Sequence, residues 1–271
     1  MAQERSAAAD IAKGLAIVLV VYGHAVDGVQ AAVPMPEWLY DSLMKPFGQV
    51  AVPLFFFITG LFAASAQRRD WPGFLDRTIA NLLWIFLLWN VLQYAGRVAF
   101  AAYANAPIDP AAILWFWLNP INVTWFLWAL MLYYLILRLA RDVPLALLIA
   151  AAAVVAADPW IGDNFALQQG SRFFVFFLLG HALAPVVREG GWRPGGGTLG
   201  LVLALYLAAN LTLVHMGWLF EPLPNFLVRC LGIAGVLGLC AWLAERGRAE
   251  WLRWLGTYTL SIFVMHTMVT A

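Results

Sequence analysis

The chain has 271 residues, of which 63% are hydrophobic and 11% charged, with a mean hydropathy of +0.79. A soluble domain carries about 25% charge, so this composition cannot cover a water-facing surface, and a net charge of +1 leaves no footprint for nucleic acid. The useful unit is the membrane span of roughly 20 apolar residues, and the expected surroundings are a lipid bilayer.

Apolar runs predict helices over 10–29, 47–66, 78–102, 122–140, 144–157, 171–187, 198–216, 225–244 and 255–271. Arg5 and Lys13 precede the first run as in a signal peptide, but no small-residue cleavage site closes it, so it reads as a retained helix. Separators rich in Pro, Gly or charge divide the runs: Val33-Pro34-Met35-Pro36, Gln67-Arg68-Arg69-Asp70, Asn105-Ala106-Pro107 and Gly190 to Gly197. The apolar stretch Ile113–Leu118 is too short to span and is expected in the interface. The fifth run is also short and reads as tilted or partly re-entrant. No repeat and no period-two alternation of barrel strands is present. The expected fold is all-α: one polytopic transmembrane helical bundle of about nine visible helices. The last run is still apolar at Ala271, which reads as a chain lacking a tenth span.

Orientation follows from Lys and Arg, which are enriched in cytoplasmic loops. With a cytoplasmic N-terminus the inner set is Arg5, Lys13, Arg68, Arg69, Arg77, Arg138, Arg141, Arg188, Arg193, Arg246, Arg248 and Arg253. The outer set is Lys45, Arg97, Arg172 and Arg229, giving twelve against four. Tryptophans 38, 71, 160, 192, 218 and 251 fall near the expected interfaces.

Lys13 and His24 lie eleven residues apart on the first helix. At 3.6 residues per turn they are separated by only about 20° around the axis and some three turns in depth. Asp10 and Asp27 fall near the same stripe. Ionisable groups inside a span are costly and mark functional sites, and a histidine exchanges protons near neutral pH. The plainer reading is a hydrogen-bonded core histidine with Lys13 as a snorkelling anchor. Cys230 and Cys240 point to different faces of one helix and belong to no metal or redox pattern, so they read as packing residues. No phosphate-binding glycine loop, metalloprotease motif or nucleophile elbow is present. Asn122-Val-Thr124 and Asn210-Leu-Thr212 match a glycosylation sequon, but the second lies inside a span.

Lys13-x10-His24 resembles the basic-x10-His signature of the acyltransferase-3 family of membrane O-acyltransferases, in which the basic residue is normally Arg. Pro53-Leu-Phe-Phe-Phe-Ile-Thr-Gly60, Thr124-Trp125-Phe126-Leu127, Phe177-Leu-Leu-Gly180 and Leu255-Gly-Thr-Tyr-Thr-Leu-Ser-Ile-Phe-Val-Met-His266 are similar, in order, to its later motifs. The resemblance is to members without a fused extracytoplasmic hydrolase-like domain. Two departures stand out. Lys13 replaces an arginine and cannot grip in a fork, and Arg77 is followed three residues later by Ala80, not a second arginine.

The resemblance implies transfer of an acyl group, acetyl foremost, from cytoplasmic acyl-CoA to a hydroxyl of an extracytoplasmic glycan or glycolipid. Acyl-CoA would be a co-substrate, with no resident cofactor and no metal. His24, Lys13 and His266 are the catalytic candidates, His24 as general base. Arg68, Arg69, Arg77 and Tyr258 are the donor-binding candidates, since arginine forks suit phosphate; for the arginines the competing explanation is topology alone. Asn90, Gln93 and Arg97 share a face of the third helix and, with Trp125, are the acceptor-binding candidates. For Asn90 and Gln93 the competing role is interhelical glue. His181 and His215 read as structural. The rival function is a secondary transporter or lipid-linked sugar flippase, which also carries ionisable groups at mid-membrane but is often built from repeats.

Overall fold

A computed structural model describes residues 7–101, 109–157, 163–188, 192–219 and 221–270. Arg5, Asn105 to Pro107, Trp160, Gly190 and Ala271 lie outside them. The protein is a polytopic all-helical chain, with no strand among the described residues. Among the described residues, seven helical stretches are long and apolar enough to cross a membrane.

Helix α1 (Ala7–Ala32) runs three residues further than expected at each end. Helix α2 (Glu37–Gly48) was not expected: it starts after Pro36, carries Pro46, and mixes Glu37, Asp41 and Lys45 with Trp38 and Phe47, so no continuous apolar run announces it. Its own ion pair links Lys45 to Asp41. Helix α3 (Ala51–Gln67) is the apolar span, followed by the short α4 (Trp71–Phe74). Asp70 caps α4 by accepting the Gly73 N–H at 3.2 Å, with Pro72 in the first turn where its missing N–H costs nothing. A π-helical turn, Leu75–Ala80, then leads into α5 (Asn81–Ala99). Such wide turns are rare and frequent at functional sites.

The expected interfacial stretch forms only one turn, α6 (Ala112–Trp115). A 3-10 turn over Asn122–Thr124 precedes α7 (Trp125–Leu139); Asn122 takes φ +54°, a left-handed conformation that asparagine tolerates better than most residues. Helix α8 (Leu145–Ala157) is apolar but short, as the sequence suggested. Helices α9 (Phe165–Arg188), α10 (Gly196–Met216) and α11 (Pro222–Glu245) follow.

The last apolar run is not one helix. It divides into α12 (Glu250–Thr257), α13 (Thr259–Met265) and α14 (Thr267–Thr270). At the first break Thr257 Oγ1 donates to Trp254 O at 2.7 Å and Thr259 Oγ1 to Gly256 O at 2.8 Å. Threonine hydroxyls that bond back to carbonyls three residues earlier bend helices. Tyr258, between them, leaves helical geometry at φ −105°, ψ 12°. The second break falls at His266.

The helices pack as two compact units, Met1–Ile58 with Leu183–Phe263 and Thr59–Ala182 with Val264–Ala271. The core of the first holds Ile11, Ala12, Ala16, Ile17, Leu54 and Phe56. There α1 and α12 meet backbone to backbone: a methyl group on Gly14 would lie 2.7 Å from the Leu252 carbonyl carbon, and one on Gly256 2.7 Å from that of Asp10. Small residues permit such approach inside membranes. The second unit buries Leu61, Phe86, Leu127, Phe176 and Phe177. Gly60, closing one family-like motif, seats against the backbone of Phe177, which opens another; a methyl there would lie 2.9 Å from the Phe177 carbonyl carbon.

Candidate active site

In the first unit Lys13 Nζ donates to Asp10 Oδ1 at 3.2 Å, and Asp10 is buried. Lys13 adjoins Gly14 and Tyr258 follows Gly256 by two residues, so both flank the contact between α1 and α12. Tyr258 is exposed, its ring 5.0 Å from that of Trp254. His24 is half-buried and lies eight residues from the other end of α1. The eleven residues separating it from Lys13 correspond to about 16 Å of helix. Helix α2 covers the His24 region: Tyr22 Oη donates to Leu43 O at 3.2 Å, and Met44 reaches Gly23. One turn beyond His24, Asp27 accepts a 2.6 Å hydrogen bond from Tyr40 of α2. Asp27 is therefore oriented at i+3 from His24, on the neighbouring face of the same helix. Nothing in the sequence pointed to Tyr40.

Three cations of the second unit, Arg68, Arg69 and Arg77, fall at the end of α3 and in the turn that follows it. Arg68 and Arg77 are exposed, and neither guanidinium group has a hydrogen bond or ion pair among the described residues. Arg69 is half-buried and donates to Thr78 Oγ1 in the π turn at 2.7 Å, linking the α3 end to the turn that carries Arg77. These side chains offer free guanidinium donors, as an anionic group requires.

The polar face of α5 is used differently along its length. Asn90 is fully buried; its Oδ1 accepts from the Ile121 N–H at 2.8 Å and Thr124 Oγ1 at 2.9 Å, and its Nδ2 donates to Phe86 O at 2.7 Å. It fixes the entry to α7, where Trp125 stacks on Phe173 at 6.0 Å. Gln93, also buried, donates to Val264 O at 2.9 Å and Thr267 Oγ1 at 2.8 Å. Those partners bracket His266, which is itself buried. So the glutamine holds the break at which that histidine sits, and both amides make hydrogen bonds to segments outside α5. Arg97, one turn further, is half-buried, and its side chain has no hydrogen bond or ion pair among the described residues.

A multi-spanning helical protein with a histidine inside one span, and unpaired arginines at the end of another, is the class that fold and side chains define. The chain belongs to the acyltransferase-3 family: the family model described as an acyltransferase domain matches residues 6–271. It is 25% identical over 293 aligned residues to the inner membrane protein YcfT of Escherichia coli K12, covering 95% of this chain and 77% of that protein. It is 28% identical over 192 residues to the nodulation protein NolL of Sinorhizobium fredii NGR234, covering 69% of this chain and 51% of that protein. No solved structure matches it.

Proposed function

We propose that the chain is an inner-membrane O-acyltransferase with a cytoplasmic N-terminus, moving an acyl group, acetyl foremost, from acyl-CoA to a hydroxyl of an extracytoplasmic glycan or glycolipid. The observation that carries this reading is the layout of α1, with Lys13 near one end and His24 about 16 Å along the same stripe. Membership of an acyltransferase family supports the chemistry, and similarity to an inner membrane protein of Escherichia coli supports the location. In this mechanism Arg68, Arg69 and Arg77 hold the phosphates of the donor, and Lys13 and Tyr258 are its further candidate contacts. Arg97, with Trp125, faces the acceptor. His24 takes the proton of the acceptor hydroxyl as its oxygen attacks the thioester carbonyl. The carbon–sulfur bond then breaks, and the departing CoA thiolate recovers a proton from the His24 imidazolium. The new ester leaves with the acceptor, and His266 is the second candidate for orienting the base or the substrate.

The test is transfer of labelled acetyl from acetyl-CoA to cell-envelope glycans, read by mass spectrometry in membranes with and without the protein. Arg68→Ala and Arg77→Ala are expected to weaken acetyl-CoA binding about tenfold each, in line with loss of one charge-assisted contact, without loss of folded protein in detergent. Unchanged binding in both would leave them as topology signals. A reporter fused after Arg141 is expected in the cytoplasm and one after Met35 outside it; the reverse labelling would put the arginines on the wrong side for the donor. The broken run α12–α14 is the observation that favours the transporter reading, because discontinuous helices line transporter sites. That reading predicts substrate movement with no acylated product.

A further inference from the structure

Arg138, in the last turn of α7, is only 7% exposed. No carboxylate of the described residues lies within salt-bridge distance of it. A buried charge so placed is costly unless its hydrogen bonds recover the loss. Its two terminal nitrogens bond backbone, one donating to Gln67 O and the other to Arg69 O, the latter at 2.7 Å, while its buried Nε has no hydrogen bond among the described residues. Gln67 is the final residue of α3, and the last carbonyls of a helix lack partners within it. They also form its negative end, where a cation is favoured. The guanidinium plane lies over Trp71 at 5.0 Å and Phe74 at 5.4 Å, so α4 holds it from the other side. Gln67 reinforces the link by donating from Nε2 to Tyr134 O at 3.3 Å. The nearby acid Asp70 is engaged with Gly73.

The segment clamped in this way, Gln67 to Arg69, carries two of the donor-binding candidates. Arg69 in turn reaches Thr78 in the π turn bearing Arg77. We propose that Arg138 is a positioning residue for the donor: it holds the Gln67–Arg69 turn so that Arg68 and Arg69 present their guanidinium groups to the phosphates of acyl-CoA. The inference rests on the acyl-CoA reading above. Arg138 does not touch the donor, because its terminal nitrogens are committed to the two carbonyls; it acts through the turn and adds to the positive potential there. A lysine in its place keeps the charge but cannot span two carbonyls at fixed spread.

The experiment measures acetyl-CoA binding and transfer kinetics of the full chain in membranes or nanodiscs, for Arg138→Gln, Arg138→Lys, Arg69→Ala and Arg138→Gln with Arg69→Ala. Arg138→Gln is expected to raise the KM for acetyl-CoA about tenfold while kcat changes less than about twofold, because only donor binding is touched. Arg138→Lys is expected to fall between it and the wild type, and it carries the test if the glutamine variant does not fold. On the Arg69→Ala background, Arg138→Gln is expected to add less than about twofold, since residues acting through one network are non-additive. An unchanged KM, a fall in kcat at constant KM, or independent multiplying effects would each overturn the assignment and leave Arg138 a helix cap. A wild type that neither binds nor uses acetyl-CoA would instead overturn the donor reading itself.

Discussion

Gly256→Ala and Gly14→Ala are expected to lower the thermal stability of the detergent-solubilised protein more than any other glycine-to-alanine substitution on α1 or α12. Each added methyl would meet backbone, not a side chain that can swing aside: the Asp10 carbonyl group for Gly256 and that of Leu252 for Gly14. The helices must then separate, and overpacking of this kind costs typically about 1–3 kcal/mol. Separation also moves Asp10 and Leu252, and Asp10 is the residue on which Lys13 rests. Gly200→Ala is the control. It lies in α10 with nothing within 4 Å of the new methyl, and alanine is favoured over glycine inside a helix by up to about 1 kcal/mol. Its melting temperature is expected to hold or rise. A Gly256→Ala protein that melts with the wild type would mean that α1 and α12 are not in backbone contact.

The spans were legible because a bilayer demands long apolar runs, and a run is a local property of sequence. The stripe joining Lys13 to His24 was legible for a similar reason: both residues are on one helix, and helical periodicity alone relates them. The rest depends on partners distant in the chain. Asn90 and Gln93 share a face that the sequence reveals, but their bonds go to Thr124 and to Val264 and Thr267, up to 174 positions away. Local pattern could not separate glue from substrate contact. Arg138 looked like Arg141, one more cation near the end of a span. What distinguishes it is a pair of carbonyls from α3 and the following turn, invisible until the two helices are placed together. The division of the last apolar run had a local signal in Thr257 and Thr259, whose hydroxyls compete for helix carbonyls. The uninterrupted hydrophobicity around them concealed it. Helix α2 was missed because amphipathic segments with an internal proline satisfy no span criterion, yet it is the element that covers His24.

His24→Ala is expected to reduce acyl transfer by about 10²–10⁴-fold, the usual contribution of a general base, and this is the largest effect anticipated for any single substitution in the chain. The hypothesis rests on three placements: His24 lies inside α1, it shares the Lys13 stripe, and α2 shelters it through Tyr22, Met44 and the Tyr40–Asp27 hydrogen bond. Expression, detergent stability and acetyl-CoA binding are expected to stay near wild type. The ring is half-buried, not part of the closely packed core, and in the proposed mechanism the donor is held mainly by arginines. His24→Gln separates chemistry from architecture, because glutamine keeps a hydrogen-bonding side chain of similar reach but cannot carry a proton near neutral pH. Loss of transfer in both variants, with donor binding retained, is the expected result. Full turnover by His24→Gln would make His24 a structural hydrogen-bonding residue and pass the role of base to His266. There Gln93→Leu becomes informative: it removes the bonds to Val264 and Thr267 that bracket that histidine. Tyr40→Phe adds a graded check on the same centre. It removes the hydroxyl that orients Asp27, so transfer is expected to fall by less than in His24→Ala, and to lose nothing further when the two are combined.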